Sequence, residues 1–200
     1  MRIPNLQSTS SRLLLMAALS AFLALPACSV NVDKGESGND KKVDIETPVG
    51  GLHVSNDADV RDVGVAVYPG ARPKPKDDNA GEEKNANVNI SAGSFGLKVV
   101  ALEYLSDDSP DKVLAYYTNE LKKYGKVLQC TGTNTSADIH MGKSDDDSDS
   151  DEMTCGDSKG SGTELKAGSK HNQHIVSVKP NGKGSDFALV YIRTRGKDTI

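Results

Sequence analysis

Residues 109–125 read SPDKVLAYYTNELKKYG and predict the principal helix of the fold. Ser109 suits the N-cap, and Pro110 suits the first helical position because its fixed φ matches a helix and its missing N–H would have no helical partner. Gly125 predicts the end of the helix through a left-handed cap. Apolar side chains recur at steps of three and four residues, so they share one face, which we expect to pack against a sheet. They are Val113, Tyr117, Leu121 and Tyr124, with Leu114 beside them, and the predicted helix covers about 110–124.

Alternating apolar and polar residues on both sides of this helix predict antiparallel strands. Residues 88–92 and 95–105 flank Gly93-Ser94 and predict a hairpin, and Asn181-Gly182 predicts a second hairpin. One helix and many strands predict an α+β fold, a single small domain at 43–200 that is mainly antiparallel sheet with long polar loops. The remaining predicted strands cover residues 43–47, 52–54, 127–130, 163–167, 174–178 and 187–193, with an apolar run at 63–68 and a loop at 72–85.

The amino terminus has the layout of a bacterial export signal. Arg2 and Arg12 supply positive charge, and an apolar stretch from Leu13 to Leu25 follows, interrupted by Ser20. This stretch is too short for a comfortable transmembrane helix. It ends in Leu25-Pro26-Ala27-Cys28, which resembles the lipobox of bacterial lipoproteins: an aliphatic residue three positions before the cysteine and a small residue directly before it.

The lipobox resemblance implies that residues 1–27 are a signal peptide and that the thiol of Cys28 carries diacylglycerol. Acylation of the new amino terminus, for instance with palmitate, is also implied, and each buried CH₂ contributes roughly 0.8 kcal/mol to such an anchor. Because Ser29 and not Asp follows the cysteine, the sorting rule of these lipoproteins favours the outer membrane, with the domain facing the periplasm. Residues 28–42 are then the lipidated cysteine and a flexible tether, since polar residues and Gly dominate them. An ordinary secretory signal with a chance cysteine is the alternative.

Cys130 and Cys155 remain available to pair if Cys28 carries lipid. Two thiols of one exported domain usually form a disulfide in an oxidising compartment. A redox or metal-binding pair is the alternative, although a redox pair is normally spaced as closely as in Cys-x-x-Cys. We therefore predict a structural disulfide that ties together the ends of an acidic loop at about 131–162.

The charge balance argues against a nucleic-acid partner. Removal of residues 1–27 takes away Arg2 and Arg12 and no acidic residue, so 22 basic and 28 acidic residues remain, a net charge of −6. Phosphate binding needs a clustered basic face, and the sequence has no such cluster.

Four segments fit one known layout: Val67-Tyr68-Pro69-Gly70-Ala71, the 88–105 hairpin, Asp111–Tyr117 with Leu121 and Gly125, and the strand Phe187–Tyr191. In this layout the chain resembles a group of uncharacterised bacterial envelope proteins over roughly residues 43–194. The group carries no known activity, so the resemblance implies a place in the cell envelope and transfers no functional residue.

One short segment matches hydrolase motifs. Residues 155–160, Cys-Gly-Asp-Ser-Lys-Gly, are similar to the Gly-Asp-Ser-Gly segment of trypsin-like proteases and fit the pattern Gly-x-Ser-x-Gly around Ser158. A nucleophile elbow needs a strand before the serine and a helix after it. An acidic run precedes Ser158, glycines follow it, and Lys159 replaces the glycine of the protease motif. We therefore expect a flexible turn here and no catalytic residue.

Two other clusters contain metal-ligand residue types. The acidic run 145–152 offers carboxylates, but an EF-hand counted from its start would have Ser150 and Gly156 where glycine and glutamate are required. His171 and His174 are three residues apart, which suits a metal site on a helix but points to opposite faces at a strand entrance. We predict no metal site and no cofactor, with weak cation binding as the alternative. The candidate ligands would be Asp145, Asp147, Asp149, Asp151, His171 and His174.

Three functions compete on this basis. A non-catalytic, membrane-anchored binding or structural module of the envelope accounts for the anchor, the tether and the small disulfide-bonded domain. Its partners would be the membrane and an envelope protein that the sequence does not identify. A divalent-cation-binding lipoprotein that uses the acidic loop and an unrecognised envelope hydrolase are the two alternatives.

Overall fold

The computed structural model describes residues 28–34, 41–75, 85–133, 152–155 and 160–196 of the chain. Two α-helices lie in these ranges, α1 at Val60–Val63 and α2 at Pro110–Leu121, and a 3₁₀ turn at Lys122–Tyr124 extends α2. Ten strands of the described residues form one sheet: β1 Ser29–Lys34, β2 Lys41–Thr47, β3 Gly50–Ser55, β4 Arg72–Pro73, β5 Asn85–Ala92, β6 Phe95–Ser106, β7 Leu128–Thr133, β8 Gly162–Ser169, β9 Asn172–Asn181 and β10 Gly184–Arg195.

The sheet is antiparallel at every strand pair among the described residues. Its order is β1-β2-β3-β5-β6-β10-β9-β8-β7, and β4 pairs with β6. The prediction of a single domain with a mainly antiparallel sheet is therefore confirmed. The sheet is larger than the sequence pattern indicated, because β1 and β4 lie in segments predicted as a tether and a loop.

The tether prediction is wrong for residues 29–34, which form β1 and pair with β2. Polar composition suggested a flexible segment, but Ser29-Val30-Asn31-Val32 alternates as a strand does. Val30 and Val32 pair with Ile45 and Val43 of β2. Residues 35–40 of the predicted tether lie outside the described residues.

The main core lies between α2 and one face of the sheet, here called the helix face. Val113, Tyr117 and Leu121 of α2 are fully buried, so the face predicted from their spacing is confirmed. The ring of Phe187 on β10 lies 5.6 Å from the rings of both Tyr117 and Tyr104. A second apolar cluster covers the opposite face of the central strands and contains Leu97, Val99, Ile175, Ala188, Val190 and Ile192.

Both predicted hairpins are present, and a glycine shapes each turn. Gly93 joins β5 to β6 with φ 56°, and Gly182 joins β9 to β10 with φ 61°. Each glycine is the first central residue of a two-residue loop, and the second central residue has no positive φ. This pattern is that of the type II′ turn, whose twist suits a hairpin.

The ends of α2 differ in detail from the prediction. Ser109 has the extended conformation of an N-cap, but its side chain makes no capping hydrogen bond. Gly125 follows the 3₁₀ turn with φ 124° and ψ −153°, so the predicted left-handed cap is wrong. The need for glycine remains, because this backbone conformation is essentially restricted to it.

The segment between β3 and β4 contributes α1 and two core side chains. Asp59 is the N-cap of α1 and accepts a hydrogen bond from the backbone N–H of Arg61 at 2.8 Å. Val63 and Val65, from the predicted apolar run, are buried in the main core. This packing places α1 against β6 and β10, where the carboxylate of Asp62 forms an ion pair with a lysine side chain of β6.

Candidate functional site

The predicted disulfide between Cys130 and Cys155 is present, with the two Cα atoms 5.5 Å apart. Cys130 is buried on β7, whereas Cys155 is exposed. The bond therefore attaches residues 152–155 to the edge of the sheet. Cys28 is exposed and is not part of a disulfide.

Most of the acidic loop lies outside the described residues. Residues 134–151 and 156–159 are among those not described, while Thr131–Thr133 belong to β7 and residues 152–155 are held by the disulfide. The hydrolase candidate Ser158 and four cation candidates therefore lie outside the described residues. These four are Asp145, Asp147, Asp149 and Asp151.

The structure does not bring His171 and His174 together as metal ligands. His174 is buried, donates from Nδ1 to the carbonyl oxygen of Val63 at 2.9 Å, and stacks on Tyr124 with ring centroids 3.5 Å apart. Burial lowers the pKa of His174, although the hydrogen bond to Val63 opposes this effect. His171 is exposed and lies 2.8 Å from Oγ1 of Thr194. Within the described ranges, no three His, Cys, Asp or Glu side chains are grouped to hold a metal ion.

A groove of about 450 Å³ crosses β2, β3, β5, β6 and β10. We call it the polar groove. It lies on the helix face, beyond the part of the sheet that α2 covers, and two rows of paired residues line it. The first row is Asp44, His53, Asn89, Lys98 and Arg193. The second row is Glu46, Gly51, Ser91, Gly96 and Arg195.

The charges of the polar groove are separated across the sheet. Asp44 and Glu46 form an acidic wall on β2, whereas Arg193 and Arg195 form a basic wall on β10. Amide and hydroxyl groups of β5 lie between the two walls. Four strand spacings of about 4.8 Å separate the walls, so they stand about 19 Å apart. The groove therefore presents opposite charges at its two ends.

Several groove side chains are held by their neighbours. Nδ1 of His53 contacts Oδ1 of Asp44, and Nζ of Lys98 pairs with Oδ1 of Asp62 at 3.0 Å. Asn89 donates to Oδ1 of Asn87 at 2.9 Å. These contacts fix the middle of the groove and leave its two ends for other partners.

Arg193, Arg195 and Glu46 are the groove charges that make no hydrogen bond or ion pair with any other described residue. All three are exposed. The guanidinium of Arg195 extends over Gly96, where a Cβ would lie 3.5 Å from its Nη2 atom. These three groups can bind a charged ligand without first breaking an internal ion pair.

Ser91, His53 and Asp44 share the groove but do not form a catalytic triad. A triad requires the serine hydroxyl to bond to the imidazole. Oγ of Ser91 instead accepts from the backbone N–H of Gly51 at 3.0 Å, while His53 contacts Asp44. The arrangement offers hydrogen bonds to a ligand and does not activate the hydroxyl as a nucleophile.

A second charged cluster lies at the end of the opposite face. Nζ of Lys74 is 2.8 Å from Oε2 of Glu103 and 2.7 Å from Oδ2 of Asp186, and Lys179 lies 3.5 Å from Asp186. Burial disfavours the charged form of Lys74, but the two carboxylates outweigh it and raise its pKa. A lysine held protonated in this way does not act as a nucleophile.

Sequence reasoning missed the polar groove. The alternation in residues 42–46 and the two-residue spacing of Arg193 and Arg195 are visible in the sequence, but the two segments are about 150 residues apart. Because β6 pairs with both β5 and β10, the polar side chains of these strands lie next to one another on the same face of the sheet. Polar residues at alternate positions of a predicted strand indicate that the strand has a polar face. They do not reveal which strands are neighbours in the sheet.

Comparison with known proteins finds no matching family model, no matching curated protein and no matching solved structure. Among the described residues, no helix combines the length and the apolar character needed to cross a bilayer.

Proposed function

We propose that this protein is a lipid-anchored lipoprotein of the bacterial envelope whose α+β domain is a non-catalytic binding module. The polar groove is its ligand site, and Cys28 is its point of lipid attachment. The anchor rests on the lipobox Leu25-Pro26-Ala27-Cys28, and Ser29 favours the periplasmic side of the outer membrane. The domain would act as a receptor or assembly element held at that surface.

The observation that carries the binding role is the separation, across the groove, of charges that no other described residue pairs. Arg193 and Arg195 stand on one wall and Glu46 on the other, with the hydrogen-bonding groups of Asn89 and Ser91 between them. Charged groups without internal partners cost little to engage, and each charge-assisted hydrogen bond contributes about 1.5–3 kcal/mol. The groove therefore favours a dipolar ligand with a carboxylate at one end and an amine at the other.

A short extended peptide has this chemistry. Six residues at about 3.3 Å each span about 20 Å, which matches the separation of the two walls. Its carboxylate would lie on the arginines and its amino group on Glu46 and Asp44. Its backbone would meet the amide and hydroxyl groups in the middle of the groove.

The test is calorimetric titration of the exported protein with the hexapeptide Ala-Gly-Ala-Gly-Ala-Gly. The free peptide is expected to bind, and either amidation of its carboxylate or acetylation of its amine is expected to weaken binding at least tenfold. The double variant Arg193→Gln/Arg195→Gln should lose the preference for a free carboxylate. Lys183→Gln, an exposed change in the β9–β10 turn, is the matched control and should bind as the wild type does. Equal affinity for the free and doubly capped peptides, or no binding of any of them, would contradict the assignment.

A further inference from the structure

The exposed hydrophobic side chains of the described residues are concentrated at the β1 edge of the sheet. Val30, Val32 and Val49 are the large apolar residues with high exposure, at 63%, 53% and 75%. Val30 and Val32 belong to β1, and Val49 belongs to the turn between β2 and β3. Single exposed valines are common, but these three lie on the outer strand and in the turn that follows its neighbour β2.

Two apolar rows run across the sheet from Val30 and Val32 of β1. Both lie on the face opposite the polar groove, because successive side chains of a strand point to opposite faces. We call the part of these rows on β1–β3 the apolar wing. The first row is Val30, Ile45, Leu52, Ile90 and Leu97. The second row is Val32, Val43, Val54, Val88 and Val99.

Exposure along both rows rises towards β1. Leu97 and Val99 are buried, the residues on β5, β3 and β2 are half-buried, and Val30 and Val32 are exposed. Asp44 and Glu46 of β2 belong to the polar groove on the other face. The two rows of the apolar wing therefore form a continuous apolar surface that ends at the outer strand.

Cys28 directly precedes this outer strand. The register pairs Ser29 with Glu46, which sets Cys28 beside Thr47 and the turn that contains Val49. At about 3.3 Å per residue, Cys28 lies only about 7 Å along the strand from Val30. No linker residue lies between Cys28 and β1, so lipid on Cys28 would bring this edge of the sheet to the bilayer surface.

We propose that the apolar wing is a membrane-docking surface that rests on the lipid bilayer beside the acylated Cys28. This inference depends on the proposed lipid anchor. Val30, Val32 and Val49 enter the interfacial region of the leaflet that holds the acyl chains, as apolar surface on an anchored protein does. The polar groove lies on the opposite face of the same strands and thus opens away from the membrane.

The chain contains no tryptophan, so a single introduced tryptophan reports its own surroundings. Val32→Trp places the reporter on the apolar wing, Val49→Trp places it in the adjacent turn, and Lys183→Trp is the control in the distant β9–β10 turn. Each full-length variant is purified with its lipid and reconstituted into phosphatidylethanolamine–phosphatidylglycerol vesicles that contain brominated lipid. The expected result is at least twofold quenching at positions 32 and 49 and none at 183.

Three other results would overturn the docking proposal in distinguishable ways. Vesicle-bound protein with no quenching at 32 or 49 overturns the docking alone and leaves the anchor intact. Protein that fails to stay with the vesicles overturns the anchor and the docking together. A blue-shifted but unquenched emission at 32 in a protein of doubled mass assigns the apolar wing to a second copy of the chain.

Discussion

Replacing Tyr117 with phenylalanine removes one hydroxyl group from the core and keeps the ring. The Tyr117 side chain is fully buried, and its Oη accepts a hydrogen bond from the backbone N–H of Tyr68 at 2.9 Å. The variant leaves that N–H without an acceptor. An orphaned donor costs about 1–3 kcal/mol, and because Tyr68 is only half-buried we expect a loss of about 1–2 kcal/mol in the free energy of unfolding at pH 7.

The stability difference between Tyr117→Phe and the wild type should also depend on pH in the alkaline range. Burial raises the pKa of Tyr117 above its ordinary value of 10.0. A tyrosine whose folded-state pKa is raised contributes stability that is fully present below the pKa of the unfolded chain and is lost as the pH rises above it. Ionisation of this one tyrosine in the unfolded chain lowers the free energy of unfolding of the wild type by about 1.4 kcal/mol at pH 11. Phenylalanine cannot ionise, so the deficit of Tyr117→Phe relative to the wild type should fall close to zero at pH 11.

Urea unfolding followed by circular dichroism at pH 7 and pH 11 measures both effects. Tyr116→Phe is the matched control, because this neighbouring ring is half-buried and its hydroxyl has no hydrogen-bond partner among the described residues. It should change stability at pH 7 by less than about 0.5 kcal/mol. A Tyr117→Phe deficit that is absent at pH 7, or equally large at both pH values, would refute the assignment of this hydroxyl.

Two further predictions concern the covalent and backbone constraints. Reduction of the Cys130–Cys155 bond, which closes a separation of 25 residues, should lower the free energy of unfolding by about 3.5 kcal/mol in the chain-entropy model, and identical urea midpoints with and without dithiothreitol would contradict this prediction. Gly125→Ala should cost more than about 1 kcal/mol through backbone strain alone, since no described residue lies within 4 Å of the added Cβ, and a thermal melt that matches the wild type would show that the strain is absent.

Local patterns in the sequence predicted the helix, both hairpins and the disulfide. Helix α2 follows from the spacing of Val113, Tyr117 and Leu121, and the hairpin turns follow from Gly93 and Gly182. In each case the decisive residues are close in sequence, so propensity and periodicity suffice. The disulfide followed from the count of available cysteines.

Features that depend on long-range pairing could not be predicted. The polar groove requires Arg193 to lie beside Lys98, and Lys98 beside Asn89, which is a matter of strand order and register. The polar composition of residues 29–34 predicts a tether, whereas Val30 and Val32 pair with apolar residues of β2 and form a strand. The amino-acid composition of a segment shows which side chains could be buried. It does not show whether a neighbouring strand lies beside the segment to bury them.

Mass spectrometry of the amino-terminal peptide of the mature, membrane-extracted protein tests the central claim most directly. The lipoprotein assignment predicts a chain that begins at Cys28 and carries diacylglycerol on its sulfur, and Cys28→Ala should abolish that species. A mature chain with an unmodified Cys28, or one whose first residue lies elsewhere, would contradict the anchor and, with it, the placement of this domain at an envelope surface.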